Sequence, residues 1–126
     1  MRKLLLLIGI CASVLSAQEM RLLEKPVPYR NLWRVSVTTL AAANTLDVQS
    51  SWGKHELNST LAGPAGNFGK QGALLKLGFQ GGLVGVEYLL TRHRPSARLY
   101  RALSIINFGA AGVVGGVAAH NYTIPR

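Results

Sequence analysis

Apolar residues cluster in four blocks along this chain, at about 4–14, 32–51, 73–91 and 102–120, with polar or glycine- and proline-rich segments between them. The first block follows Arg2 and Lys3 and ends in the small residues Ser16 and Ala17, the layout of a secretory signal over residues 1–17. Cleavage after Ala17, cleavage after Ser16 and retention as an uncleaved anchor all fit. As a helix the apolar run spans roughly 21 Å, short of a ~30 Å hydrocarbon core. Residues 18–31 carry Pro26 and Pro28 and are expected as an extended linker. Residues 32–51, centred on Ala41, Ala42 and Ala43, suit a helix of moderate apolarity. Asn44, Asp47 and Ser51 share one face of it, a face poorly suited to lipid. Trp52 and Gly53 mark an interface anchor and a helix stop. The density of glycine, proline and asparagine over 53–71 predicts a loop.

The third and fourth blocks predict helices over 73–91 and 102–120. In the first of these, Lys76, Gln80 and Glu87 fall on one side and Gly78, Gly81, Gly82 and Gly85 on the other. No charged residue occurs from Ala102 to Ala119, where Gly109, Gly112 and Gly116 form a second stripe. Small residues four apart let membrane helices approach closely. The two stripes, joined by a turn of about ten residues, therefore predict an antiparallel hairpin packed through glycine. The fold expected is all-α: a signal helix, the 18–31 linker, a helical membrane domain over 32–120, and a tail over 121–126.

Composition sharpens this picture. Charged residues are 15% of the chain and hydrophobic residues 48%, against about a quarter charged in soluble domains. The 14 glycines are double the usual share of roughly 7%. The formal charge of +9 sits beside the apolar runs, at Arg2, Lys3, Arg30, Arg34, Arg92, Arg94, Arg98 and Arg101. No nucleic-acid-binding motif accompanies it, so the partners expected are the lipid bilayer and a membrane protein or a second copy, with no nucleic acid. The single cysteine, Cys11, lies in the first block, so removal of that block excludes disulfides and thiolate sites from the mature chain.

Charge also sets up a conflict. The segment Arg92–Arg98, with Arg101 just after it, belongs in the cytoplasm by the positive-inside rule. A cleaved signal followed by one crossing of 32–51 puts that segment outside. Crossing of 32–51 from the inside satisfies the rule but requires an N-terminal run other than a conventional cleaved signal. A third arrangement leaves 32–51 lying beside the membrane.

With helices alternating in direction, Asp47, His55, Glu56, Lys76 and His120 fall toward one membrane edge, a possible polar cluster for metal binding or proton movement. No His-x-x-x-His, Gly-x-Ser-x-Gly, phosphate-binding loop or His-Glu-x-x-His spacing is present. No catalytic residue, metal site or cofactor is therefore expected. Glu87 is a candidate partner for Arg94, Arg98 or Arg101. The stretch from Asp47 through Ser51-Trp52-Gly53-Lys54-His55-Glu56-Leu57-Asn58, followed by a loop and two apolar helices, resembles a group of small bacterial membrane proteins. In these an Asp-ended helix is followed by Gly-x-x-Glu-x-Asn-Pro, and this chain departs from that pattern at Ser59. The resemblance covers about residues 35–120 and implies a helical membrane protein without a particular activity. The function expected is that of a non-enzymatic scaffold or accessory subunit of the bacterial inner membrane, targeted by its N-terminal signal and packing through Gly78, Gly82, Gly85, Gly109, Gly112 and Gly116. A small transport or membrane-enzyme unit built on the polar cluster is the alternative. A periplasmic soluble protein with a glycine-rich helical core is a third.

Overall fold

A computed structural model describes residues 27–125. The expected signal over 1–17 and the linker up to residue 26 lie outside the described residues. The described chain is all-helical: α1 (Arg30–Ser51), α2 (Lys70–His93) and α3 (Ala97–Thr123). Each helix extends past its expected bounds. The largest change is at the arginine-rich segment, where Ala97, Arg98 and Arg101 already belong to α3 and the turn shrinks to Arg94, Pro95 and Ser96. Pro95 disfavours helical backbone at Arg94. Ser96 then restarts the helix by accepting the Leu99 N–H on its hydroxyl at 3.1 Å. At 24 and 27 residues, α2 and α3 are long and apolar enough to cross a membrane.

The main packing lies between α1 and α3 rather than within a hairpin of α2 and α3. The buried positions of α1 are Trp33, Ser36, Leu40, Ala43, Asp47 and Ser50, stepping by three and four, with Ser51 beside the last of them. Those of α3 are Tyr100, Ser104, Asn107, Ala111 and Ala118, with Val114 packed against the same core. Both are heptad patterns, the repeat that winds helices into a left-handed pair. Trp33 stacks obliquely on Tyr100 with ring centroids 5.6 Å apart, and Asp47 and Ser51 meet Asn121, so α1 and α3 run parallel. Every seventh residue of the seam is small: Ser36, Ala43 and Ser50 on α1, and Ser104, Ala111 and Ala118 on α3. Their short side chains allow close approach of the backbones.

The connecting helix α2 runs antiparallel to both and touches each at only a few places. Lys76, Gln80 and Glu87 face the α1–α3 pair. At 100° per residue, Gly78, Gly82 and Gly85 then lie about 140–160° round from Gln80, and Gly109, Gly112 and Gly116 about 140–180° round from Asn107. Both glycine stripes are thus turned away from the packed faces. Apart from the adjoining residues and the helix's own backbone, no described atom lies within 4 Å of a Cβ built at any of these six glycines, nor at Gly81. This corrects the expected glycine-to-glycine hairpin: the polar face of α2 needs partners, and meeting them rotates the glycines outward.

The 52–69 connection is ordered by its own backbone. Phe68 N–H donates to the Lys54 carbonyl at 2.8 Å, Gly53 N–H to the Phe68 carbonyl at 2.9 Å, and Glu56 N–H to the Gly66 carbonyl at 3.0 Å. Gly53, with φ +76°, lets the chain leave α1 in the left-handed region. Phe68 is the most deeply buried apolar residue of this segment, at 2% exposure. Gly72, at the start of α2, makes room for it. A Cβ there would lie 2.6 Å from both the Leu61 carbonyl and the Phe68 ring.

Outside the seam the surface is apolar. Leu74, Phe79 and Val113 are each at least 70% exposed, and Leu83, Val86, Leu89, Leu90, Ile105 and Ile106 join them along α2 and α3. A run of exposed apolar side chains along two helices marks a face that meets a membrane, a partner or another segment. Two glycine substitutions separate the roles assigned above. Gly72→Ala is expected to destabilise the fold by about 1–3 kcal/mol through overpacking, whereas Gly78→Ala should leave the isolated chain's fold intact. Denaturant titration of detergent-solubilised protein, followed by far-UV circular dichroism, checks both.

Candidate functional site

The polar side chains inside the helical unit gather in two clasps. Each is built on an asparagine of α3, and the two asparagines stand fourteen residues, or two heptads, apart. Asn107, 2% exposed, donates from Nδ2 to Glu87 Oε2 at 3.0 Å and to Ser36 Oγ at 3.3 Å. Trp33 Nε1 donates to the same Glu87 oxygen at 2.7 Å. Asn121 donates from Nδ2 to Ser51 Oγ at 2.9 Å and to Asp47 Oδ1 at 3.4 Å. In both clasps the two amide hydrogens are shared between a carboxylate and a serine of α1. The serines of the first clasp and the seam turn their own hydrogens back onto their helices, Ser36 to the Trp33 carbonyl and Ser50 to the Asp47 carbonyl.

The second clasp adds charge. Lys76 Nζ lies 2.6 Å from Asp47 Oδ2, with the side chains 24% and 6% exposed, and this is the only salt bridge among the described residues. Phe68 covers the lysine, whose Nζ stands 5.0 Å from the ring centroid. Lys54 donates to the Asn121 backbone carbonyl. Lys76 and Glu87 are eleven residues apart, three helical turns, so one face of α2 reaches both clasps. Among the described residues, every buried side-chain nitrogen or oxygen has a hydrogen-bond partner.

Of the five residues expected at one edge, only Asp47 and Lys76 come into contact. Glu56 holds the loop, its Oε1 accepting Asn58 N–H at 3.0 Å, while Asn58 Oδ1 accepts Thr60 N–H. His55 pairs through its backbone with Asn67 on the loop's short ladder. His120 is exposed in the last turn of α3. Among the described residues, no three His, Cys, Asp or Glu side chains converge as metal ligands do. Glu87 pairs with Trp33 and Asn107 rather than with the arginines. The residues that sequence reasoning passed over are Asn107, Asn121, Trp33 and Ser36. Two asparagines fourteen apart in α3, the first of them inside the uncharged run, were the available signal.

A third feature is the end of the molecule opposite the second clasp. Because α1 and α3 are parallel, Arg30 and Arg34 stand at the same end as Arg92, Arg94, Arg98 and Arg101. Tyr29 confirms the juxtaposition, its ring centroid 6.0 Å from the Arg101 guanidinium. No family model matches the sequence, and no curated protein or solved structure matches it significantly.

The clasps make two predictions. Lys76→Met alone leaves Asp47 buried without its cation and should cost about 3–5 kcal/mol, while Asp47→Leu with Lys76→Met should come close to the parent's stability. Glu87→Leu strands the Trp33 and Asn107 donors and should cost about 1–3 kcal/mol for each, with Glu87→Gln costing less. Denaturation midpoints of the purified variants in micelles provide the measurement. A Lys76→Met variant as stable as the parent would contradict the first.

Proposed function

We propose that this protein is a membrane-embedded scaffold or accessory subunit. In this reading it crosses the bacterial inner membrane three times and offers its outward glycine faces to another membrane helix. The observation that carries the reading is the setting of the two stripes. The chain satisfies its own packing with serines and alanines in the α1–α3 seam, and leaves Gly78, Gly82 and Gly85 on α2, and Gly109, Gly112 and Gly116 on α3, open to the outside. Glycine weakens a helix by about 1 kcal/mol relative to alanine in water, but in lipid it lets a second helix approach within van der Waals contact.

Charge gives the orientation. With the N-terminal end of α1 beside the Arg94–Ser96 turn, one cytoplasmic face accommodates Arg30, Arg34, Arg92, Arg94, Arg98 and Arg101 together. The 52–69 loop and the end of α3 then lie on the far side. This is the arrangement in which α1 crosses from the inside, and it calls for an N-terminal run other than a conventional cleaved signal. The polarity of α1 is no obstacle to it. Thr38, Thr39 and Thr45, all exposed, donate to the Arg34, Val35 and Ala41 carbonyls at 2.9–3.0 Å, and half-buried Asn44 donates to the Leu40 carbonyl at 3.0 Å. Such internal bonds lower the cost of placing hydroxyls and amides against lipid.

Reporter fusions after Asn31 and Ser96 should read as cytoplasmic, and a fusion after Gly63 as external. Gly112→Leu combined with Gly116→Leu should leave the helical content unchanged and weaken association with self or partner about tenfold, equivalent to about 1.4 kcal/mol. Native electrophoresis of membranes after crosslinking reads the outcome. Parent protein that runs only as an uncrosslinked monomer would overturn the proposal.

A further inference from the structure

We infer that the arginine-rich end carries a binding site for an anionic phospholipid, centred on Arg94 and His93. The inference rests on the membrane reading above. The outer side of α2, in its last two turns, holds an open groove of about 360 Å³ lined by Val86, Leu89, Leu90, His93 and Arg94. Its lining is split by chemistry along the helix axis. Val86, Leu89 and Leu90 are about half exposed and purely apolar, and the two basic residues stand at the terminal rim.

That sequence of surfaces matches one lipid molecule lying along the helix. The acyl chains meet the valine and leucines, and the phosphate meets the guanidinium. A soluble anion would use only the rim and leave the apolar lining unexplained. A peptide would need acceptors and donors along a stretch where the lining offers none.

Charge complementarity is strong at this end. Among the described residues none of the six arginines Arg30, Arg34, Arg92, Arg94, Arg98 and Arg101 makes a salt bridge. The nearest described carboxylate along the chain, Glu87, is engaged by Trp33 and Asn107. The His93 ring is held in place, Nδ1 donating to the Leu89 carbonyl at 2.9 Å, so Nε2 is left as an acceptor for a headgroup hydroxyl and the phosphate falls to the guanidinium. The negative end of the α2 dipole works against an anion here. It is opposed by the adjacent start of α3, whose first N–H groups lack acceptors within the helix. Planar guanidinium groups take phosphate oxygens in pairs, which suits arginine rather than lysine for this role.

The test uses the full chain, purified in a neutral detergent, stripped of lipid and titrated with phosphatidylglycerol or phosphatidylcholine under native mass spectrometry. Phosphatidylglycerol should bind at least about tenfold more tightly than phosphatidylcholine, and Arg94→Gln should weaken it about fivefold, the contribution of one basic residue near the surface. Arg94→Lys should keep part of the preference. Glycerol phosphate, which carries the headgroup without chains, should fail to displace the lipid at equal concentration. Equal retention of the two lipids, or an unchanged preference in Arg94→Gln, overturns the site. Displacement by glycerol phosphate overturns the lipid as its occupant. In parallel, the protein is mixed with vesicles of each lipid. Recovery in the aqueous fraction after carbonate washing would overturn the membrane reading, which the lipid-preference outcomes leave standing.

Discussion

Asn107 and Asn121 impose the constraint on which the rest of the structure depends. A primary amide in apolar surroundings must spend both hydrogens and tolerates little error in where the acceptors stand. Each asparagine takes one acceptor from a serine of α1 and one from a carboxylate. With two such sites fourteen residues apart on one helix, α1 has a single register along α3. The seam between them then needs little apolar volume: Leu40, Ala43 and Ala111, with Ala110 and Val114 beside them, form its core. Alanine and serine at every seventh position bring the backbones close, and polar pairs fix where they meet. Specificity here comes from hydrogen bonds and proximity from small side chains, the division of labour expected where burial of apolar surface offers no driving force between helices.

The setting of α2 follows from the same requirement. Its apolar surface is mostly exposed, and it is tied to the α1–α3 pair at two heights, through Lys76 to Asp47 and through Glu87 to Trp33 and Asn107. These two anchors fix its rotation about its own axis and so decide where its glycines point. A glycine stripe facing inward would have required Lys76 and Glu87 to face outward, leaving Asp47 without its cation and the Trp33 indole N–H without its acceptor. The energetic asymmetry is large. A lost van der Waals contact at a glycine forfeits tenths of a kcal/mol per atom pair, whereas a stranded buried charge costs about 3–5 kcal/mol.

Much of this was legible in the residues. The three apolar blocks after residue 31 mark the three helices, and Lys76, Gln80 and Glu87 on one side of the second, with Asn44, Asp47 and Ser51 on one face of the first, are the two polar faces available to meet. They meet at Asp47 and Lys76. The pairing of helices was harder to read, because two signals compete. Glycine stripes are conspicuous and argue for a hairpin of α2 and α3. The seven-residue recurrence of Ser36, Ala43 and Ser50 against Ser104, Ala111 and Ala118 is quieter, since serine and alanine in a helix look unremarkable one at a time. The arginine turn was misjudged in length for a related reason: four arginines within ten residues read as loop, while Ser96 as a cap lets Arg98 and Arg101 ride on the first turns of α3. The five candidate edge residues do not all meet: Asp47 and Lys76 do, whereas the Glu56 carboxylate and the His55 backbone close the loop, a role decided by backbone geometry that spacing does not encode.

Parallel packing of α1 and α3 also brings together the basic segments that charge placement had set in conflict. An up-down-up order of three helices brings the beginnings of the first and third to one end, and both beginnings are basic. A hairpin alone offers only the turn as a topological signal. The pair of parallel helices doubles it, with Tyr29 against Arg101 joining the two halves. The far end mixes both signs: the Lys76–Asp47 ion pair covered by Phe68, Lys54 on the Asn121 carbonyl, and a loop laced by its own backbone that holds Glu56. The molecule is thus polarised along its axis by sequence positions that are remote from one another and meet only because the seam sets α1 beside α3. Under the proposed orientation, the same asparagine clasps that fix the register also fix which end of α1 meets the anionic leaflet. Hydrogen-bond geometry inside the helical unit and charge at its surface are therefore one constraint acting at two places.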